Sequence, residues 1–328
     1  MPTALVTGAT GFLGGHLVRT LVDRGIAVRA LYRDGRALNK LKELPIELRQ
    51  GDVTRPETLA AAMDGKLDYV FHCAASTASW RPYFAEQMRI NVEGTRNVVE
   101  AALNAGVGRL IHTSSVAVYG FTEQVISEDS PHLGRDSWVN YTRSKALGED
   151  EVHAGIKRGL NAVICNPTHI LGPGDTHTWA KLFLLVDQRK LPGVPPGSGA
   201  FVDVRLAAKA HLAAAERGQS GENYLLGGAE ASFLELVHTI GHQLGRATPR
   251  RSIPAPVLRS LARFSDAFSR ITKKEPDITP EAVAFVCHHM HCDIGKAQRE
   301  LDLTVTPLYH LVADTIGWLR EQNLVSQA

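Results

Sequence analysis

Thr7-Gly8-Ala9-Thr10-Gly11-Phe12-Leu13-Gly14 decides how the rest of the chain is read. It follows an apolar run, Thr3-Ala4-Leu5-Val6, and precedes a stretch in which Leu13, Leu17 and Leu21 recur every four residues. The run predicts a strand, and the spacing predicts a helix over Phe12–Arg24 with Gly25 as its C-terminal cap. Three glycines three apart, between a strand and a helix, suit a backbone that approaches a pyrophosphate. Gly8 is expected to make the tight turn, Gly11 to admit the phosphates, and Gly14 to let helix and strand pack closely. The helix N-terminus would face the anion with free N–H groups and the positive end of its dipole. Gly8, Thr10, Gly11, Phe12, Leu13 and Gly14 are therefore the expected phosphate cradle. A glycine-rich turn without ligand is the bland alternative. Other glycines, such as Gly25 and Gly199, are expected only to punctuate.

Outward from this turn, short apolar runs alternate with amphipathic segments. Candidate strands are Thr3–Thr7, Ala27–Tyr32, Ile46–Gln50, Tyr69–Cys73, Arg109–Thr113 and Leu160–Cys165. Nearly continuous apolar runs predict strands buried on both faces of a parallel sheet. Pro56 looks like the first residue of a helix, and Ala85–Ala105 and Tyr141–Lys157 read as two long helices. Strand–helix alternation predicts an α/β fold, a Rossmann-type doubly wound parallel sheet with a smaller C-terminal lobe. The second half is less regular. Pro167–Gly174 and Leu191–Gly199 read as Pro/Gly-rich loops. Helices are expected at Val204–Arg217, Phe233–Leu244, Ala255–Ser269, Thr279–Val286 and near Tyr309–Gln322, with a strand at Glu222–Leu226. The expected division is a cofactor-binding core over residues 1–170, with 200–228 contributing, and a mainly substrate-binding lobe over 171–328.

Composition narrows the function class. The 328 residues carry 36 Lys+Arg against 34 Asp+Glu, a formal charge of +2, which offers no general attraction to nucleic acid. With 44% hydrophobic and 21% charged residues the chain is an ordinary globular one. Four cysteines in a chain this long do not make a disulfide scaffold, and Cys73 and Cys165 end apolar runs as small hydrophobes do. No apolar run is long enough to span a membrane, and no leader pattern opens the sequence. A cytoplasmic setting is the expectation.

Further motifs follow in order. Asp52-Val53 comes after the third strand and His72-Cys73-Ala74-Ala75 closes the fourth. Asn91-Val92-Glu93-Gly94-Thr95 lies in the long helix. Thr113-Ser114-Ser115-Val116-Ala117-Val118-Tyr119-Gly120 closes the fifth strand, and Tyr141-Thr142-Arg143-Ser144-Lys145 opens the next helix. Asn166-Pro167-Thr168-His169-Ile170, Phe201-Val202-Asp203-Val204 and Cys292-Asp293-Ile294-Gly295-Lys296-Ala297 complete the series. Together with the TGxxGxxG opening, this order resembles the extended branch of the short-chain dehydrogenase/reductase superfamily, nearest in pattern to dihydroflavonol 4-reductase-like and 3β-hydroxysteroid dehydrogenase-like reductases. The resemblance implies a nicotinamide cofactor held by the glycine turn, Asp52, Val53, Ala74, Ala75, Ser76, Thr113, Tyr141, Lys145, Pro167 and Ile170. It implies Ser115, Tyr141 and Lys145 as catalytic residues, with Ser114 the weaker candidate serine. A homodimer through the two long helices is implied by analogy.

Cofactor choice rests on the second strand. Val28-Arg29-Ala30-Leu31 ends in Tyr32-Arg33, where an acidic residue would bind the ribose 2′-hydroxyl of NAD. Arg33, assisted by Arg36, suits a 2′-phosphate, so NADP is expected. The alternative is NAD, with Asp34 on the ribose.

Tyr141 and Lys145 are one helical turn apart and share a face. A cation there, with an oxidised nicotinamide nearby, would favour the phenolate and draw Tyr141 into acid/base work. Ser115 would donate to the substrate oxygen as charge develops. The expected reaction is reversible hydride transfer to a ketone or aldehyde on an apolar or alicyclic substrate. Sugar-nucleotide epimerisation is the alternative, weakened because Gly197-Ser198-Gly199-Ala200 precedes Phe201 without an arginine. A cofactor-sensing regulator is the other, weakened by the presence of both Tyr141 and Lys145. His16 and His112 are expected to be packed histidines. Substrate contacts are expected from Ser76–Pro82, His169, Trp179 and Phe183. The run Cys287-His288-His289-Met290-His291-Cys292 resembles a metal tract, but its spacing favours a connecting segment. No metal is expected. Residues 250–274 form a basic amphipathic stretch that is expected to bury its apolar side in the lobe, the alternatives being a membrane surface or a lid.

Overall fold

The computed structural model describes residues 1–35, 38, 41–176 and 178–327. Among them the strands are β1 (Thr3–Thr7), β2 (Ala27–Tyr32), β3 (Glu47–Gln50), β4 (Tyr69–His72), β5 (Arg109–Thr113), β6 (Ala162–Pro167), β7 (His169–Leu171), β8 (Ser198–Asp203), β9 (Asn223–Leu226) and β10 (Ala229–Ser232). Seven make one parallel sheet in the order β3-β2-β1-β4-β5-β6-β9. The expected Rossmann-type α/β fold is therefore borne out. All six residues of β6 are buried and so are four of five in β1, as both faces of the sheet are covered. β3 lies at the sheet edge and is mostly exposed.

The helices are α1 (Phe12–Asp23), α2 (Pro56–Ala62), α3 (Phe84–Met88), α4 (Gly94–Asn104), α5 (Asn140–Lys157), α6 (Ala180–Asp187), α7 (Val204–Arg217), α8 (Phe233–Leu244), α9 (Ala255–Thr272), α10 (Pro280–Val286), α11 (Gly295–Leu301) and α12 (Leu308–Glu321). One face of the sheet packs on α1 and α7 through Leu17, Leu21, Ala207 and Ala208. The other packs on α2, α4 and α5 through Leu59, Val98, Val99 and Val152. Strand order reverses at β1, with β2 and β3 to one side and β4 onward to the other. In such sheets the crevice above the strand ends at the reversal is the ligand site. Thr7 and His72 stand side by side in register there.

The expected single helix Ala85–Ala105 is interrupted. Between α3 and α4 the residues Arg89–Glu93 form a π turn. It coincides with Asn91, whose buried side chain is committed to the loop after β4 rather than to helix packing.

The two Pro/Gly-rich loops are also not loops throughout. β7 and the start of β8 lie in them, and β8 pairs with both β7 and β10 in a second, three-stranded sheet. A three-residue strand has no periodicity to read, so only its partner defines it. Gly199 does more than punctuate: a Cβ there would lie 2.2 Å from the His169 ring. Phe183 is fully buried in the lobe core with Phe201, Phe233 and Leu311, and so is not a substrate contact. α9 departs from expectation as well. Only Leu258, Ala262 and Ser269 are buried, and its large apolar residues face outward.

Candidate functional site

The glycine turn is tightly built. Gly8 has φ of +69°, and a Cβ on it would meet Ala74 N at 2.7 Å. A Cβ on Gly14 would lie 2.1 Å from the Gly8 carbonyl oxygen. Gly14 thus packs α1 against the turn itself, rather than against the strand. Gly11 begins α1 and donates its N–H to Gly8 O at 2.9 Å. No side chain caps this helix, so its first N–H groups stay available to an anion.

Gly8, Thr10, Gly11, Arg33, Asp52, Val53, Ala74, Ala75 and Ser76 line one cleft of about 440 Å³ over this turn. Phe12, Leu13 and Gly14 lie behind it in the first turn of α1, where Leu13 and Gly14 are buried. Arg33 is exposed just beyond β2. Arg36 lies outside the described residues. Asp52 directs its carboxylate inward to the Thr54 N–H and hydroxyl, both at 2.9 Å. Thr113 ends β5, Pro167 ends β6 and Ile170 lies in β7. A turn that a Cβ would fill, an uncapped helix N-terminus and an exposed arginine beyond β2 fit a nicotinamide dinucleotide.

The catalytic candidates converge further along the crevice. The Tyr141 phenol lies beside the Ser115 side chain. Ser115 Oγ accepts the Ala117 N–H at 3.2 Å. Ser114, by contrast, donates its hydroxyl to the buried Glu149 at 2.5 Å, so the two serines face different partners. Lys145 Nζ donates to Thr113 O at 2.8 Å. Burial pushes the Lys145 ammonium down to about 8, with Glu149 and Cys73 opposing. Burial also raises the Tyr141 phenol, and the Ser115 side chain only partly opposes this. The expected lowering by Lys145 does not occur in the protein alone, because desolvation of a buried phenolate dominates. The phenol is held protonated.

The lobe reaches over this centre. The Phe285 ring of α10 packs on Tyr141 with centroids 6.0 Å apart. Glu281, also on α10, accepts the Asn140 N–H at 2.6 Å. Asn140 Nδ2 donates to Gln87 at 2.7 Å, and Gln87 donates to Ser76 O at 3.1 Å. Asn91 accepts the Ser76 N–H at 2.7 Å and donates to Ser144 at 2.9 Å. A buried polar chain therefore ties the loop after β4 to the start of α5. Gln87, Asn140 and Glu281 were not read from the sequence, and Asn91 only as part of a motif. Polar residues inside apolar helical patterns were the available signal for the first two, and Glu281 had none.

His112 is packed as expected, and burial holds it well below the ordinary histidine range. The Cys287–Cys292 run is a connecting segment: His288 contacts Thr122 O, His289 contacts Ser198 and His291 contacts Glu230. Among the described residues no group of three or more His, Cys, Asp or Glu is placed to hold a metal ion. Among them, too, no helix is long and apolar enough to cross a membrane.

Residues 4–227 match the model of the NAD dependent epimerase/dehydratase family. The chain belongs to that family. This family member is 30% identical to sterol demethylase protein B of Methylococcus capsulatus, over 98% of this chain and 100% of the relative. It is 31% identical to 4-hydroxy-2-methyl-3-oxo-4-farnesyl-3,4-dihydroquinoline-1-oxide ketoreductase of Stigmatella aurantiaca, over 90% of each chain. The crystal structure of gox2253 superposes with a TM-score of 0.87 at 33% identity, covering 99% of this chain and 100% of that one. The extended short-chain dehydrogenase/reductase resemblance is thus confirmed. The protein is an enzyme of this family, with oxidoreductase-type relatives.

Proposed function

We propose that the protein is an NADP(H)-dependent carbonyl reductase, reversible as an alcohol dehydrogenase, acting on an apolar or alicyclic substrate. The contact between the Tyr141 hydroxyl and Ser115, with Lys145 one turn along α5, carries this reading. A bound reduced nicotinamide supplies the hydride. Ser115 donates a hydrogen bond to the substrate carbonyl oxygen, and Tyr141 delivers the proton to that oxygen as negative charge builds. Holding the phenol protonated suits the reductive direction, since the donor must carry its proton into the reaction. The Lys145 ammonium compensates the phenolate left behind. Arg33, exposed at the end of β2 and lining the cleft, would pair with a 2′-phosphate and supports NADP over NAD.

An apolar substrate agrees with the names of the sterol and farnesyl-quinoline relatives, with Phe285 beside Tyr141 and with Phe121 packed on Phe285. A nucleotide-sugar substrate is disfavoured by Arg205, which is clamped by Asp203 at 2.6 Å and Asp314 at 2.5 Å instead of being open to a diphosphate. A cytoplasmic homodimer belongs to the same reading, by analogy with the branch.

The test is NADPH absorbance against a panel of ketones and aldehydes, with sugar nucleotides in parallel. Oxidation of NADPH by a ketone, abolished by Tyr141→Phe with cofactor binding kept, is the expected result. Isomerised sugar nucleotide without net oxidation, or tight cofactor binding with no turnover, would reject it.

A further inference from the structure

The outer face of α9 is unlike the rest of the surface. Val257, Leu261, Phe264, Phe268 and Ile271 follow at steps of three and four, so they form one stripe along the helix. Each is between 54% and 80% exposed. The helix packs on the lobe through a different side, where Leu258, Ala262 and Ser269 are buried. Single exposed apolar residues are ordinary; five in line, two of them phenylalanine, mark an interaction surface.

The segment that carries the stripe is strongly basic. Residues 250–274 contain Arg250, Arg251, Arg259, Arg263, Arg270, Lys273 and Lys274 against one acidic residue, Asp266. The whole chain has a formal charge of only +2, so positive charge is concentrated here. Asp266 is itself paired, with Arg270 at 2.8 Å and Arg81 at 3.3 Å. Trp138, 65% exposed, shares the lining of a cavity of about 880 Å³ with Arg259 and Arg263. A tryptophan beside arginines of a helix that also carries an apolar stripe is a composition found at the headgroup level of bilayers.

We propose that α9 docks this protein on an anionic lipid bilayer, lying in the plane of the headgroups with its stripe in the acyl boundary. Apolar burial and attraction to anionic headgroups act together there, and long arginine side chains reach the headgroups while the stripe stays down. A second copy is the less suitable occupant. A two-fold interface sets the same patch against itself and would bring two strongly basic segments together. Phe121, in the cavity wall, contacts Phe285 at 5.3 Å, and Phe285 contacts Tyr141, so a line of aromatic contacts joins the cavity wall to the phenol.

Sedimentation of the full chain with phosphatidylcholine vesicles, with and without an equal share of phosphatidylglycerol, tests this. Binding to the anionic vesicles, weakened by salt and much lower on phosphatidylcholine alone, is expected. Phe264→Ser and Phe268→Ser should each lower partitioning by about tenfold, and Arg259→Gln with Arg263→Gln should remove the preference for anionic lipid. Melting temperature and NADPH binding should stay as in the unaltered protein, which separates lost docking from lost folding. Absence of binding to either vesicle would overturn the proposal. So would a dimer in analytical ultracentrifugation that Phe264→Ser dissociates, since a second copy would then be the occupant.

Discussion

The Glu281 carboxylate accepts the Asn140 backbone N–H at 2.6 Å, joining α10 of the lobe to the first residue of α5. α5 has Val139 at its N-cap and no side-chain cap of its own, so the cap comes from 141 residues further along the chain. A carboxylate at a helix N-terminus satisfies free N–H groups and meets the positive end of the dipole. This one does so while 3% exposed, and its Oε2 has no hydrogen-bond partner.

Burial pushes the Glu281 carboxyl from 4.5 up to about 7. A raised folded value means that the native state binds the proton more tightly than the unfolded chain. The resulting stability is present below pH 4.5 and is lost as pH rises to about 7. Glu281→Gln keeps an acceptor for Asn140 and removes the titration. Thermal unfolding across that window should lose its slope in the variant, an effect of up to about 3 kcal/mol. An unchanged slope would assign it to another group.

Lys145 makes a second pH prediction. Its ammonium is held at about 8, so the cation is lost as pH rises through that value. If the cation compensates Tyr141, kcat/KM for ketone reduction should fall on the alkaline side of about 8. Lys145→Arg keeps the charge at every accessible pH and should move that limb out of range, though at lower activity. A limb that persists in Lys145→Arg would show that another group sets it.

Arg33→Ala should weaken NADPH by about ten- to a hundredfold and leave NADH nearly unchanged, because only the former carries the 2′-phosphate. Titration of intrinsic fluorescence with both cofactors checks this. Equal loss for both would place Arg33 on a part of the nucleotide that they share.

Gly14→Ala sets a methyl group 2.1 Å from the Gly8 carbonyl oxygen, and a backbone atom cannot swing away as a flexible side chain would. The expected cost is at least about 1–3 kcal/mol of stability, with cofactor affinity reduced because the turn itself must shift. Gly25→Ala is the control. No heavy atom lies near it, but its φ of +77° strains an alanine by about 1–2 kcal/mol, so it should cost stability while sparing cofactor binding.

Legibility followed how local each feature is. α7 and α8 were read to the residue because each shows several turns of amphipathic spacing, and Ser232 and Glu235 form a capping box at the start of α8. The glycine turn was legible because its strand, glycine spacing and helix are contiguous. β7 was not, because its three residues gain definition only from β8. The exposure of the α9 stripe was not legible either. An amphipathic period says that a helix has an apolar side, not whether anything in the fold covers it.

The amino-acid order by itself determined the doubly wound parallel sheet and the glycine turn at the end of β1, since strand burial and turn chemistry are written in short stretches. Tertiary structure supplied the physical reason for preferring Ser115 over Ser114. It turned Ser114 toward the buried Glu149 and left Ser115 on the phenol. It also decided the protonation of the site. Desolvation comes from neighbours distant in sequence, and here it outweighs the opposing effect of Ser115 on Tyr141.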